Sequence, residues 1–120
     1  MLSKTLQLLA QDLGLRVEEN SACGIYEGYM ISLYEAKGCK SVFFNCPFAD
    51  PEDDALSSFD ISESIKAKVE AYAVTDYGIS GMGLYMTSRA PLAEFKAMID
   101  WVAQLLKDNR LPGAEVCSSC

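Results

Sequence analysis

The stretch PLAEFKAMIDWVAQLLKDN, residues 91–109, decides the fold. Its apolar residues recur every three or four positions, the spacing of one apolar stripe along a helix: Leu92, Phe95, Ile99, Val102, Leu105 and Leu106. Pro91 suits the first turn, where its missing N–H has no intrahelical partner, and Pro112-Gly113 prevents continuation past Asn109. The pattern predicts an amphipathic helix whose apolar face needs a partner layer.

A sheet upstream is the predicted partner of this helix. Residues typical of strands alternate from Ala22 to Cys46, and Glu27-Gly28 interrupts them where a tight hairpin turn fits. Gly38, which can adopt positive φ, suits a second turn. The pattern predicts antiparallel strands at about residues 22–27, 29–35 and 40–46, and a second hairpin at about 74–79 and 82–88 around Ser80-Gly81.

Two further helices complete the predicted helical layer. Ser3 and Gly14 suit the two cap positions of an apolar-periodic run, which predicts a helix over about residues 3–13. Asp60-Ile-Ser-Glu63 has capping-box spacing and begins a helix predicted over about residues 60–72. The predicted order is α-β-β-β-α-β-β-α, a two-layer α+β fold with one domain over residues 1–110 and a linker over 111–120.

Charge and hydropathy exclude two classes of partner. Asp and Glu number 17 against 10 Lys and Arg, and the resulting net charge of −7 repels phosphate backbones and anionic lipid. The apolar runs are far shorter than the roughly 20 residues that a bilayer-spanning helix needs. We therefore expect no nucleic-acid partner and no membrane insertion by this segment.

The reactive residues of the domain indicate no enzyme. The chain has no histidine, which removes Ser-His and Cys-His nucleophile pairs and every imidazole metal ligand. The carboxylate pairs Glu18-Glu19 and Asp53-Asp54 have no evident partner for general acid–base catalysis. The domain itself is predicted to need no cofactor.

Five cysteines, an odd number at irregular spacing, indicate a reducing, cytoplasmic setting in which Cys23, Cys39 and Cys46 are inert thiols. Cys117-Ser-Ser-Cys120 differs, because two thiolates at this spacing supply half of a tetrahedral zinc site. The missing ligands would have to be further cysteines, which predicts a zinc ribbon that begins here and continues past Cys120. A redox pair and an inert tail are the alternatives.

The second face of the predicted sheet is the candidate docking surface. If Ile31, Leu33, Val42, Phe44, Leu84 and Met86 face the helices, the alternation of side chains places four others on the opposite side, where a two-layer domain is normally polar: Met30, Tyr34, Phe43 and Tyr85. An apolar and aromatic outer face suits a protein or peptide partner, or a second copy of the chain. The alternative is that scattered aromatics reflect strand propensity alone.

The order of elements, together with the texture of residues 24–33 (GIYEGYMISL) and 41–44 (SVFF), resembles the type III secretion chaperone-like fold, which also occurs in YbjN-type bacterial domains. A closing helix that leads through Leu111-Pro-Gly113 into Cys117 and Cys120 is similar to bacterial proteins that append a zinc ribbon to such a domain.

This resemblance implies a non-enzymatic domain that binds protein or peptide partners on an exposed sheet and helix surface, often as a homodimer. It also implies that the domain is the N-terminal module of a longer bacterial protein. The alternative function is a zinc-binding or thiol redox protein that uses Cys117 and Cys120.

Overall fold

The structure, a computed structural model, describes residues 2–36, 38–45, 61–80 and 83–108. Six strands in these ranges form one antiparallel sheet of order β1-β2-β3-β4-β6-β5. The elements are α1 (Lys4–Asp12), β1 (Arg16–Val17), β2 (Ala22–Tyr26), β3 (Tyr29–Ala36), β4 (Cys39–Asn45), α2 (61–66), β5 (Val74–Ser80), β6 (Gly83–Ser88) and α3 (Leu92–Asp108). The predicted α+β class is confirmed.

Strand register decides which side chains enter the core. Ile31 lies opposite Phe44, Val42 lies opposite both Leu33 and Met86, and Leu84 lies opposite Phe44. All six side chains are fully buried, as the alternation predicted. They form the inner face of the sheet, and α1, α2 and α3 contribute to the same hydrophobic cluster.

Helix α3 supplies the largest helical share of that cluster. Its buried residues are Phe95, Met98, Ile99, Val102, Ala103 and Leu106, whereas Leu92 and Leu105 are half-buried. The Pro91 carbonyl accepts a hydrogen bond from the Phe95 N–H at 2.9 Å, so Pro91 stands immediately before the helix. Each large apolar side chain that is fully buried contributes about 1.5–3 kcal/mol, which makes this face the main anchor of the helical layer.

Helix α1 has the predicted caps at both ends. The Ser3 hydroxyl accepts a hydrogen bond from the Leu6 N–H at 3.3 Å. At the other end, the Gly14 N–H donates to the Gln11 carbonyl and the Leu15 N–H donates to the Ala10 carbonyl, which together form a Schellman motif. Gly14 has φ +76°, the left-handed conformation that this motif requires.

Two predictions about the elements need correction. Arg16 and Val17 form a short strand paired with β2, so the order begins α-β-β-β-β. Helix α2 ends at residue 66, not 72, because the Lys68 N–H bonds to the carbonyl three residues back and the chain tightens into turns over 67–73. Those turns end with Ala73 at φ +48°.

No helix within the described ranges is long and apolar enough to cross a bilayer. The predicted turn at Ser80-Gly81 and the chain after Asp108 lie partly or wholly outside those ranges.

The left-handed residues at the two turns predict opposite effects of exchanging glycine and alanine. Gly14→Ala should lower the free energy of unfolding by about 1 kcal/mol, because a Cβ in this conformation strains the backbone. A Cβ there would meet no atom within 4 Å, so strain alone is tested. Ala73→Gly should raise the free energy of unfolding by about 0.5–1 kcal/mol. Urea unfolding measures both, and a shift of the same sign in the two variants would contradict the assignment.

Candidate functional site

The outer face of the sheet, opposite the core, carries almost no charge. In the described parts of the four central strands, β2, β3, β4 and β6, the outward positions hold only neutral residues: Cys23, Ile25, Met30, Ser32, Tyr34, Cys39, Ser41, Phe43, Asn45, Gly83, Tyr85 and Thr87. Within the described ranges, charged side chains adjoin this face at its margins: Arg16 on β1, Asp76 on β5, and Glu18, whose Oε1 lies 3.5 Å from the Cys23 Sγ. In a chain of net charge −7, this is an uneven distribution.

Aromatic side chains occupy the middle of the outer face. Phe43 on β4 lies directly opposite Tyr85 on β6, and Tyr34 on β3 lies diagonally from Phe43, beside Ser41. Tyr34 and Tyr85 are 44% and 39% exposed, and Phe43 is half-buried. The structure therefore brings together three of the four residues predicted to form a docking surface. Their role in binding stays a prediction.

Two of these rings lie along the sheet because glycines leave room for them. A Cβ on Gly78, opposite Tyr85, would stand 2.5 Å from the Tyr85 Cε1. A Cβ on Gly83 would stand 2.0 Å from the Phe44 carbonyl oxygen and 2.9 Å from the Phe43 Cζ, so both the neighbouring backbone and the ring require glycine there. Aromatic rings laid over glycines in this way compensate for the missing side chains of the strand. The two rings thus cover strand positions that carry no side chain.

The Tyr85 hydroxyl is also fixed. It donates a hydrogen bond to the Asp76 Oδ2 at 3.2 Å. This bond is the main cause that raises the pKa of Tyr85 above its ordinary value, with burial as a lesser cause. The polar end of the ring is thus directed to the charged margin at β5, and its apolar part remains on the central strands.

Met30 and Ile25 change the predicted composition of this surface. The register places Met30 on the outer face, but it is only 8% exposed, so it does not present the exposed contact that the sequence suggested. Its neighbour across the hairpin, Ile25, is 58% exposed and was missed. The signal was available, because a two-residue turn at Glu27-Gly28 places Ile25 opposite Met30.

A polar cluster on the helical side joins the β2–β3 hairpin to α3. The Tyr26 hydroxyl donates to the Asp100 Oδ1, and the Lys96 Nζ lies 3.1 Å from the Asp100 Oδ2. Lys107 and Glu27 form an ion pair at 2.9 Å beside them. A pocket of about 330 Å³ lies between these groups.

Tyr26 in this cluster has a raised pKa and is therefore a weak acid. Burial is the largest cause and the hydrogen bond to Asp100 the next, and with the charges of Asp100, Glu27 and Asp12 they raise the pKa of Tyr26 to about 12. A phenol with this pKa stays protonated at neutral pH, where a general base would need to be partly ionised. The geometry is that of a clamp between hairpin and helix.

A shallow apolar groove separates α1 from α3 on the solvent side of the helical layer. Its volume is about 780 Å³, and it is lined by Leu8, Leu9, Gln11, Asp12, Leu92, Ala93 and Lys96. Leu8 is 61% exposed, the largest exposure among the described large hydrophobic residues. Leu8 lies outside the core-facing stripe of α1, so the apolar periodicity gives no signal for it.

The cysteines divide into three groups. Cys117 and Cys120, the predicted half site for zinc, lie outside the described residues, as does Cys46. Cys39 is a free, half-buried thiol, as predicted. Cys23 is 8% exposed and disulfide-bonded, so the prediction of an inert thiol there is wrong. Within the described ranges, no group of three or more Cys, Asp or Glu side chains is arranged to hold a metal ion.

No protein-family model matches the chain, and no similar protein was found among curated sequences or among solved structures.

The clamp predicts a loss of stability at high pH. The folded state holds the Tyr26 proton up to a pKa of about 12, whereas the ordinary value is 10.0. The stabilisation is therefore complete below pH 10 and is lost as the pH rises from there towards 12. Tyr26→Phe should remove this part of the pH dependence, measured by urea unfolding across the alkaline range.

Asp100→Asn is the matched control, because it keeps an oxygen acceptor but removes the charge. In this variant the pKa of Tyr26 should move back towards its ordinary value in a titration of tyrosinate absorbance. A difference titration between the wild type and Tyr26→Phe that shows no tyrosine ionising near pH 12 would contradict the clamp.

Proposed function

We propose that this chain is a non-enzymatic protein-interaction domain that binds extended, apolar segments of partner proteins on the outer face of its sheet. The proposal includes the finer fold assignment, a chaperone-like two-layer arrangement, and a place as the N-terminal module of a longer bacterial protein. It also places the chain in the cytoplasm, on the odd number of cysteines and the free Cys39 thiol. The disulfide at Cys23 is the observation against this placement, because disulfides are rare in the cytosol.

One observation carries the proposal: among the residues that the structure describes, the outward positions of the four central strands hold no charged side chain and have aromatic side chains at their centre. Interface cores in proteins are depleted in charged residues and enriched in tyrosine and phenylalanine. On the surface of a soluble domain, Lys, Arg, Asp and Glu typically make up about 25–35% of the residues and are interspersed, which maintains solubility. A neutral, aromatic face in such a protein supports a role in contact with another molecule.

The placement of the aromatic rings along the strands of this face favours an extended ligand. The rings of Phe43 and Tyr85 lie along the sheet over Gly83 and Gly78, and small hydroxyl side chains separate them from Tyr34. Successive side chains of an extended peptide point to opposite sides, so every second residue would contact the face. Apolar residues at alternate positions are therefore the expected recognition pattern.

The acidic character of the chain selects among such segments. A net charge of −7 repels acidic peptides and attracts basic ones over a distance set by ionic strength. The favoured segment has apolar residues towards the sheet and basic residues towards solvent. The alternative function, zinc binding or thiol redox chemistry at Cys117 and Cys120, concerns residues outside the described ranges and stays a prediction.

A fluorescent peptide of alternating leucine and lysine is the probe we expect to bind. Tyr34→Ser should weaken binding several-fold in a fluorescence anisotropy titration, because it removes an exposed ring from the proposed contact surface. Tyr34→Phe keeps the ring and should bind as the wild type does. Substitution of this exposed residue should change the free energy of unfolding by no more than about 0.5 kcal/mol.

The control is a second peptide that has the same composition and charge as the first, with its residues in an order that breaks the alternation. Equal affinity for both peptides would show attraction by charge alone and would contradict the proposal. The same conclusion would follow if Tyr34→Ser bound the alternating peptide as tightly as Tyr34→Phe.

A further inference from the structure

The solvent face of α1 carries three exposed residues at one-turn intervals: Lys4, Leu8 and Asp12. Residues four positions apart lie on the same side of a helix, so the three form one stripe. The core-facing residues of the helix are Leu6, Leu9 and Ala10, on another side. Leu8 stands at the midpoint of both the helix and the stripe, and it is 61% exposed.

The two charges of this stripe are in the order that an isolated helix disfavours. A helix has partial positive charge at its N-terminus and partial negative charge at its C-terminus. Lys4 lies in the first turn of α1 and Asp12 in the last, and the helix has no acid in its first turn and no base in its last. Neither side chain forms an ion pair with another described residue.

A second α1 in antiparallel orientation would correct both charges at once. With a twofold axis at Leu8, Lys4 of one copy lies beside Asp12 of the other, because each stands four residues, or about 6 Å, from the axis. Each aspartate then approaches the positive N-terminus of the facing helix, and each lysine approaches its negative C-terminus. The stripe is thus complementary to itself.

The groove between α1 and α3 offers space for the apolar part of this contact. Leu8 lines the groove together with Leu9, Leu92 and Ala93, so a leucine that projects from a facing α1 would meet apolar side chains on both helices. Asp12 and Lys96 stand at the same groove as acid and base. An exposed leucine beside an apolar groove is the arrangement expected of an isologous contact, in which each copy gives and receives the same group.

We propose that the chain forms a twofold dimer through antiparallel packing of α1 against α1, with Leu8 at the axis, Lys4 paired with Asp12 of the facing copy, and each Leu8 seated at the groove of the other. This surface lies on the helical layer, on the side of the molecule away from the outer sheet face. The dimer therefore leaves the outer face open for a partner.

Sedimentation equilibrium of the whole chain over a range of concentrations tests the proposal. The wild type should associate as a dimer, and Leu8→Glu should be monomeric, because it places two carboxylates at the axis. Lys4→Glu should raise the dimer dissociation constant about tenfold, since the dimer contains the reversed pair twice. The swap of Lys4→Asp with Asp12→Lys should restore dimerisation to within a few-fold of the wild type.

The stability of the Lys4→Glu monomer distinguishes a loss of association from a loss of folding. Lys4→Glu puts an acid in the first turn, where the helix dipole favours it, so the monomer should be at least as stable as the wild type in urea. Lys66→Glu makes the same change of net charge at an exposed position of α2 and should leave the dissociation constant unchanged.

Three outcomes would overturn the proposal. They are a wild type that remains monomeric at all concentrations, a dimer that persists in Leu8→Glu, and a charge swap that associates no better than Lys4→Glu. If the wild type remains monomeric, the groove would instead bind a helix of another protein. The second would place the dimer contact elsewhere on the chain.

Discussion

Burial of the inner sheet face beneath α1 and α3 is the contact on which the other features depend. Six side chains of this face are fully buried in the same hydrophobic cluster as the helices: Ile31, Leu33, Val42, Phe44, Leu84 and Met86. Their strands have a side-chain period of two, so a shift of one residue in pairing would exchange the two faces of the sheet. The hydrophobic core therefore fixes register, and register fixes what the outer face displays.

The outer face is a consequence of that constraint. Once alternate residues of β3, β4 and β6 are committed to the core, the intervening Tyr34, Phe43 and Tyr85 must face the opposite side. Nothing in the packing of the core requires these residues to be aromatic, or requires the positions around them to lack charge. Stability therefore does not explain the composition of this face, whereas the proposed binding of an extended segment does.

Polar contacts complete the helical layer after the core has placed it. The Tyr26–Asp100 hydrogen bond and the Lys107–Glu27 ion pair both join the β2–β3 hairpin to α3. A surface ion pair such as Lys107–Glu27 contributes little, so the stability that the clamp adds comes mainly from the Tyr26–Asp100 hydrogen bond. On α1, by contrast, Lys4 and Asp12 oppose the helix dipole and give no stability to the monomer, which is why a facing copy is a physical explanation for them.

Local patterns in the sequence determined the α+β class, the limits of α1, the start of α3, the hairpin at Glu27-Gly28 and the six inward-facing strand residues. These features follow from periodicity, caps and turn residues, which act over a few positions. Strand β1, the early end of α2, the burial of Met30 and the exposure of Ile25 and Leu8 were decided by tertiary structure. Each depends on what packs against the residue from a distant part of the chain, and a local pattern carries no record of that neighbour.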